Sequence, residues 1–272
     1  MAVRRNIGLE RANAMLDPNL DWSAATLNGL KVFIAERESI RLKKEAGEPR
    51  PWTEDEVLHK TKFTNIYRQH DKTSVFIFDK VKHLDGVLLF TNLVLARLIN
   101  RVDVLYEVLP YDWCTDLAFL LDKSIMNSKA YQIAANFAAA HDRKTNREVI
   151  VYDVEKIAHH AYSAAMSTQN MADAALAANK AGGGCLKFLM FQVIMDHDYL
   201  KGSHPDQSTI IVGEGAKAIV DRLGGIASIS EELGMQPIDV EHACCEYRKY
   251  IYRQGRELRH YSYKPNSMGL TL

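Results

Sequence analysis

The chain has 272 residues, with 34 Lys plus Arg set against 34 Asp plus Glu and 47% hydrophobic residues. A chain of that length and composition buries its own core without staples, which excludes a disordered or collagen-like polymer. The even charge balance excludes overall basicity as a route to nucleic acid, so a DNA-binding surface would need local segregation of charge.

Helical periodicity dominates from the first clear element. Over residues 27–46, Leu30, Phe33, Ile34 and Ile40 are spaced as one apolar face, and Gly47 and Pro49 stop the helix. Thr53, followed by Glu54, Asp55 and Glu56, reads as the start of the next helix. Residues 62–71, KFTNIYRQHD, also read as helical, with Asn65 and Arg68 on one face that Thr61 and Lys72 extend. Apolar helical patterns follow over 83–109, 112–122 and 129–143, then one or two helices over 153–181, with a short strand expected at 149–152. After Gly182-Gly183-Gly184, LKFLMFQVIMDHDYL resumes as a buried helix. A polar loop leads to IIVGEGAKAIVDRL, and residues 239–256 form the last clear helix. Strands do not alternate with helices, so a doubly wound sheet is not expected. The predicted fold is mainly α and multi-helical, a single domain over 1–272, with 1–25 and 257–272 as irregular extensions.

The cysteines Cys114, Cys185, Cys244 and Cys245 lack C-x-x-C spacing and read as reduced thiols in a cytoplasm. The first residues lack an apolar signal core, and runs such as GVLLF are too short to span a bilayer, so no membrane is expected as a partner.

Five constellations could carry chemistry. An Arg fork at Arg68 beside the Asn65 amide can hold a phosphate or read a base edge, or the two can sit on a solvated face with an Arg68–Asp71 contact. The triple-glycine turn before the helix of Gln192 and Asp196 either offers backbone N–H groups to a phosphate or lets two helices approach closely. Val212-Gly213-Glu214-Gly215-Ala216-Lys217 is a second glycine turn that could seat a phosphate with Lys217, although Glu214 puts negative charge there. On the last helix, Asp239, His242, Glu246, Lys249 and Arg253 make a polar stripe opposite Val240, Ala243, Cys244, Tyr247 and Ile251. That stripe either tunes an imidazole for proton transfer or is a salt-bridged surface. One His and two carboxylates would be an incomplete metal site, so neither a metal nor another cofactor is expected. Finally, Arg253, Arg256 and Arg259, interleaved with tyrosines, have the composition of a DNA contact or of a basic tail. No P-loop, GxSxG or HExxH motif occurs.

Several blocks together resemble a known family. ERESIRLKKEAGEPRPWTEDEVL, KFTNIYRQHD, LARLINR, FLMFQVIMDHDY, VGEGAK and DVEHACCEYRKY occur in order and look like the signature of the alpha-glutamyl/putrescinyl thymine pyrophosphorylases, phage amino acid:DNA transferases. These resemble the helical domain associated with hydroxymethyluracil DNA kinases and, distantly, the helix-hairpin-helix DNA glycosylases. The resemblance implies a phage pathway in an infected bacterial cytoplasm. Its substrate is DNA carrying a 5-hydroxymethyluracil that has been phosphorylated or pyrophosphorylated, and the activated group is displaced by an amine or amino acid. Asp196, His242, Glu246 and Arg68 would then be catalytic. Asn65, Asp71, Gln192, Lys249, Lys217 and Arg41 would bind substrate, and the C-terminal arginines would bind DNA. On this reading Asp196→Ala and Arg68→Ala abolish transfer while the fold survives. The enzymatic rival is a glycosylase-like enzyme on a modified base, and the non-enzymatic one is a DNA-binding scaffold.

Overall fold

The computed structural model describes residues 22–123, 125, 133, 134 and 136–254. Among these residues there are twelve α-helices and no strand, and the mainly α expectation holds. The helices are α1 (Leu27–Glu45), α2 (Glu56–Lys60), α3 (Lys72–Val81), α4 (Gly86–Ile99), α5 (Val102–Val108) and α6 (Phe137–Ala140) in the first half, then α7 (Asn146–Ala165), α8 (Met171–Ala181), α9 (Lys187–Lys201), α10 (Glu214–Arg222), α11 (Ile226–Leu233) and α12 (Pro237–Gln254). Two 3-10 turns, Arg68–His70 and Ala118–Asp122, and one isolated bridge between Asn170 and Asp206 complete the regular structure. None of the described helices is long and apolar enough to cross a membrane. Of the extensions predicted at 1–25 and 257–272, residues 1–21 and 257–272 lie outside the described residues, and residues 22–25 precede α1 without helix.

The chain divides into two compact units. Among the described residues, the middle unit lies within 69–212 and the outer unit comprises 22–68 and 213–254.

In the middle unit α4 is the central helix. Every residue from Leu89 to Ile99 is buried, the signature of a helix surrounded on all sides. It packs on α7 and α9, with α3 and α5 beside it, and α8 lies against both α7 and α9. Two buried polar groups hold this core in register. Asn92 accepts the Tyr111 N–H at 2.7 Å and donates to the Tyr111 carbonyl at 2.9 Å. Arg97, 1% exposed, donates to the Asp196 carboxylate at 2.5 Å and to Ser74 Oγ at 3.0 Å. The triple-glycine turn serves helix approach. A Cβ on Gly182 would meet Ala178, Ile157 and Met190 within 3.4 Å, and the Gly184 N–H is bonded to the Asn179 carbonyl.

In the outer unit α12 is the central helix, opened by Pro237, which suits a first turn whose N–H groups lack helical partners. The predicted apolar face of Val240, Ala243, Cys244, Tyr247 and Ile251 is buried, against α10, α11, α1 and α2. Helix α1 starts at Thr26, whose Oγ1 accepts the Gly29 N–H, and carries the basic Lys43 and Lys44 in its last turn.

Several local expectations change. The helix expected from Thr53 begins at Glu56, because the Asp55 carboxylate caps it by accepting the Leu58 N–H at 2.9 Å. Residues 61–67 are irregular rather than helical. The stretch over 83–109 is broken at Asn100, which takes the left-handed conformation at φ 44°. Within 112–122 only the 3-10 turn at Ala118–Asp122 forms. The strand expected at 149–152 lies inside α7, which Thr145 caps by accepting the Glu148 N–H.

Candidate functional site

The outer unit gathers residues of three elements around one irregular strap. Residues 62–65 have no helical hydrogen bonds of their own, and distant side chains hold their backbone instead. Arg37 of α1, 4% exposed, donates through Nη2 to the carbonyls of Phe63 and Thr64, both at 3.3 Å. Glu246 of α12 accepts the Thr64 N–H at 2.8 Å. Lys249, one turn on, donates to the Lys62 carbonyl at 2.5 Å, lies 3.4 Å from Glu246 and sits 4.7 Å over the Phe63 ring. Arg68 closes the strap in the first position of its 3-10 turn and is itself buried. Asn65 is half-buried between them.

Behind this strap α12 carries two buried carboxyls. Asp239 is pushed by burial up to about 6. Burial raises Glu241 further, to about 7, although the Gly213 N–H and the Arg68 charge both pull it down. Glu241 Oε1 accepts that N–H at 3.1 Å, and Arg248 donates to the Glu214 carbonyl at 2.9 Å, so the second glycine turn is tied to α12. Burial also depresses Arg37 and Arg248 below the ordinary arginine range, against the opposing pull of neighbouring acids. It raises both Cys244, to about 12, and Cys245, so neither thiol is poised as a nucleophile. Cations and carboxyls of near-neutral pKa, held partly out of water, are the equipment for binding a phosphoryl group and moving a proton.

The predicted site residues divide between the units. Arg41, Asn65, Arg68, Lys217, His242, Glu246, Lys249 and Arg253 belong to the outer unit, and Asp71, Gln192 and Asp196 to the middle one. Arg41 bonds Glu38 and Glu45 along α1 at 2.8 and 2.7 Å, and Lys217 pairs with Asp221 on an exposed face at 2.6 Å. His242 and Arg253 are half-buried on α12. Asp71 caps α3, its Oδ2 accepting both the N–H and the hydroxyl of Ser74. Asp196 is 0% exposed and faces Arg97, which gives its carboxylate a partner in the core and no open face toward a nucleophile. Gln192 lies one turn away on α9, 1% exposed. Arg256 and Arg259 lie outside the described residues. Among the described residues no group of three or more His, Cys, Asp or Glu is placed to hold a metal ion.

Arg37 and Glu241 are not singled out by the sequence, and Arg248, which the sequence places in the C-terminal basic run, is instead buried beside the second glycine turn. Glu241 and Arg248 are seven residues apart on the helix side that carries Cys244, so an acid and a base repeat within an otherwise apolar face. That repeat was the available signal.

A family profile described as "5-hmdU DNA kinase, helical domain" matches residues 24–232, from just before α1 to the last turn of α11. No curated protein and no solved structure matches the chain. The match spans most of the chain and takes in α1, the strap, the buried Arg97–Asp196 pair and the second glycine turn. On that coverage the chain belongs to the family of the 5-hmdU DNA kinase helical domain.

Proposed function

We propose that the chain acts in DNA thymine hypermodification, exchanging the phosphate or pyrophosphate of an activated 5-hydroxymethyluracil in DNA for an amine or amino acid. Membership of a family described by a 5-hmdU DNA kinase supplies the chemical setting, a 5-hydroxymethylated pyrimidine in DNA. The observation that carries the reading is the strap of the outer unit, where Arg37, Glu246 and Lys249 hold the backbone of residues 62–64 and the charge of Arg68 acts on the buried Glu241.

In the proposed step the amine nitrogen forms a bond to the exocyclic 5-methylene carbon as the carbon–oxygen bond to the phosphoryl group breaks. The leaving phosphate or pyrophosphate departs with the bonding electrons, and the ammonium proton passes to a protein carboxylate. Arg68 and Lys249 stabilise the departing charge, with Lys217 at the nearby glycine turn. Glu246, with His242 one turn earlier on α12, takes the proton. Asn65 pairs a uracil edge, which requires the base to leave the stack, and Arg41 supports the strap from α1.

The test is nucleoside mass spectrometry. DNA containing phosphorylated and pyrophosphorylated 5-hydroxymethyluracil is incubated with the protein and a panel of amines and amino acids. Release of inorganic phosphate or pyrophosphate together with an amino-substituted nucleoside is expected. DNA recovered unchanged with every amine, or recovered with abasic sites, refutes the reading.

The family description favours a second reading, in which the chain is a recognition module that presents 5-hydroxymethyluracil DNA to a kinase. Binding of that DNA without turnover, and phosphorylation only when a separate kinase and ATP are present, would select it.

A further inference from the structure

The face of α12 next to the strap opens on a groove of about 240 Å³ within the outer unit, smaller than the pockets that enclose drug-sized ligands and sized for one flat ring system. Its walls are aromatic. Phe33 of α1 lies 5.5 Å from Tyr247 and 5.1 Å from Tyr250, ring centre to ring centre, and the two tyrosines stack 6.2 Å apart. A Cβ on Gly29 would stand 2.2 Å from the Tyr247 hydroxyl, so glycine at that turn of α1 makes room for the ring. Donors in the lining are spent inside the protein. Gln254 Nε2 donates to the Tyr250 hydroxyl at 2.6 Å, and that hydroxyl donates to Asp55 Oδ2 at 2.5 Å. What the lining offers a ligand is therefore mostly acceptor: the carboxylates of Glu36 and Asp55 and the Gln254 amide oxygen, with no Lys, Arg or His among the lining residues. The Glu36 carboxylate meets no hydrogen-bond donor or cation among the described residues.

A ring that stacks and donates two adjacent N–H groups satisfies such a lining. Of the DNA bases guanine alone has that edge, N1–H beside the N2 amino group, which can meet one carboxylate as a bidentate pair. Thymine and uracil flank a single N3–H with two carbonyl oxygens. Adenine and cytosine set a ring-nitrogen acceptor beside the amino group. Each of these turns a lone pair toward Glu36. We infer that this groove binds an unpaired guanine of the DNA strand, and that it reads the sequence context of the base to be modified rather than holding that base. The inference goes beyond the transfer reading and rests on it only for the modified base being the neighbour; guanine binding itself does not. Phe63 joins the groove to the strap, since it packs against Phe33 at 5.8 Å and Tyr250 at 6.4 Å and lies under Lys249. A guanine on the ring wall thus stands beside the strap.

The experiment measures binding of the full chain to labelled single-stranded thymidine oligonucleotides by fluorescence anisotropy, with GMP as competitor. The central position is guanine, inosine, adenine, cytosine or thymine. The guanine strand is expected to bind about tenfold tighter than the adenine, cytosine and thymine strands. Inosine keeps N1–H and lacks the N2 amino group, so its strand should fall between. Glu36→Gln puts a donor where an acceptor stood and should remove the preference, with far-UV circular dichroism reporting the fold. In parallel, transfer is measured with guanine or thymine next to the activated base, and guanine should be the faster context. Binding indifferent to the base, or a guanine preference that survives Glu36→Gln, overturns the inference; the inosine strand tests it without any variant. GMP that binds as tightly as the guanine strand overturns the strand-context reading in favour of a free-nucleotide site. Guanine-selective binding without any transfer retains the groove and refutes the proposed activity, whereas transfer with no guanine preference does the reverse.

Discussion

Replacing Asp196 should cost the middle unit much of its stability, and the cost should vanish when its partner goes too. Asp196 and Arg97 are 0% and 1% exposed and meet at 2.5 Å, and Arg97 also reaches Ser74. In Asp196→Leu the guanidinium keeps its burial and loses its counter-charge, a loss of about 3–5 kcal/mol. Arg97→Met strands the carboxylate and costs about the same. If the two losses were independent the double variant would lose ~6–10 kcal/mol, but apolar groups of similar size in place of a buried pair are close to neutral. The double variant should therefore lie at least ~3 kcal/mol above the additive value. Urea unfolding followed by far-UV circular dichroism measures all four proteins. An Asp196→Leu protein within ~1 kcal/mol of wild type, or an additive double variant, would refute the reasoning. The same argument revises the expectation that Asp196→Ala stops transfer on an intact fold. Loss of activity in that variant must be read against its stability.

Glu241 and Asp239 make stability pH-dependent. Burial raises Glu241 from 4.5 to about 7, so the folded state holds a proton that the unfolded chain releases. Its contribution is full below pH 4.5, declines as pH rises and is gone above about 7, a span of about 3 kcal/mol. Glu241→Gln keeps an acceptor for the Gly213 N–H and should flatten unfolding free energy across that window; an unchanged slope would refute the assignment. Gly215 lies where a Cβ would come within 2.5 Å of Cys245 Sγ, so Gly215→Ala should lower the melting temperature despite the better helix former, and Cys245→Ala should restore it. In the transfer assay, Glu246→Gln and Arg68→Ala should each reduce kcat by about a hundredfold or more. Turnover like wild type in both would remove the strap from the mechanism.

The sequence made α12 readable because its apolar residues keep helical spacing and its polar stripe falls opposite them. It made α4 readable because a largely apolar run of that length, interrupted only by Thr91, Asn92 and Arg97 after Gly86, has to be wrapped by other helices. The strap was not readable in the same way. Asn65 and Arg68 are spaced for a helix, but the backbone around them bonds to Arg37, Glu246 and Lys249, which are 26, 182 and 187 residues away from their acceptors or donors in the strap. Local periodicity carries no record of such partners, and when they satisfy the carbonyls and N–H groups a helix is no longer required. The error at 149–152 has the opposite cause. Val149, Ile150 and Val151 favour strand locally, but the Thr145 cap and the apolar positions through Ala165 commit them to α7. Of the site, the residues of α1, the strap and α12 were recognisable as blocks, whereas Arg37 and Glu241 were hidden because charged residues on an inward face look like errors in the pattern.

The outer unit is assembled from the two sides of the middle one in sequence, with Arg68 at the first join and Val212–Gly213 at the second. During synthesis the ribosome therefore releases α1 and the strap long before α12 exists to bind them. The described part of the middle unit lies within the single stretch 69–212 and is made before α12, while Phe63 and Thr64 wait for Glu246 and Lys249. A nascent or truncated chain ending before α12 would lack Glu246 and Lys249, so the cation–carboxylate cluster forms only once α12 has been made.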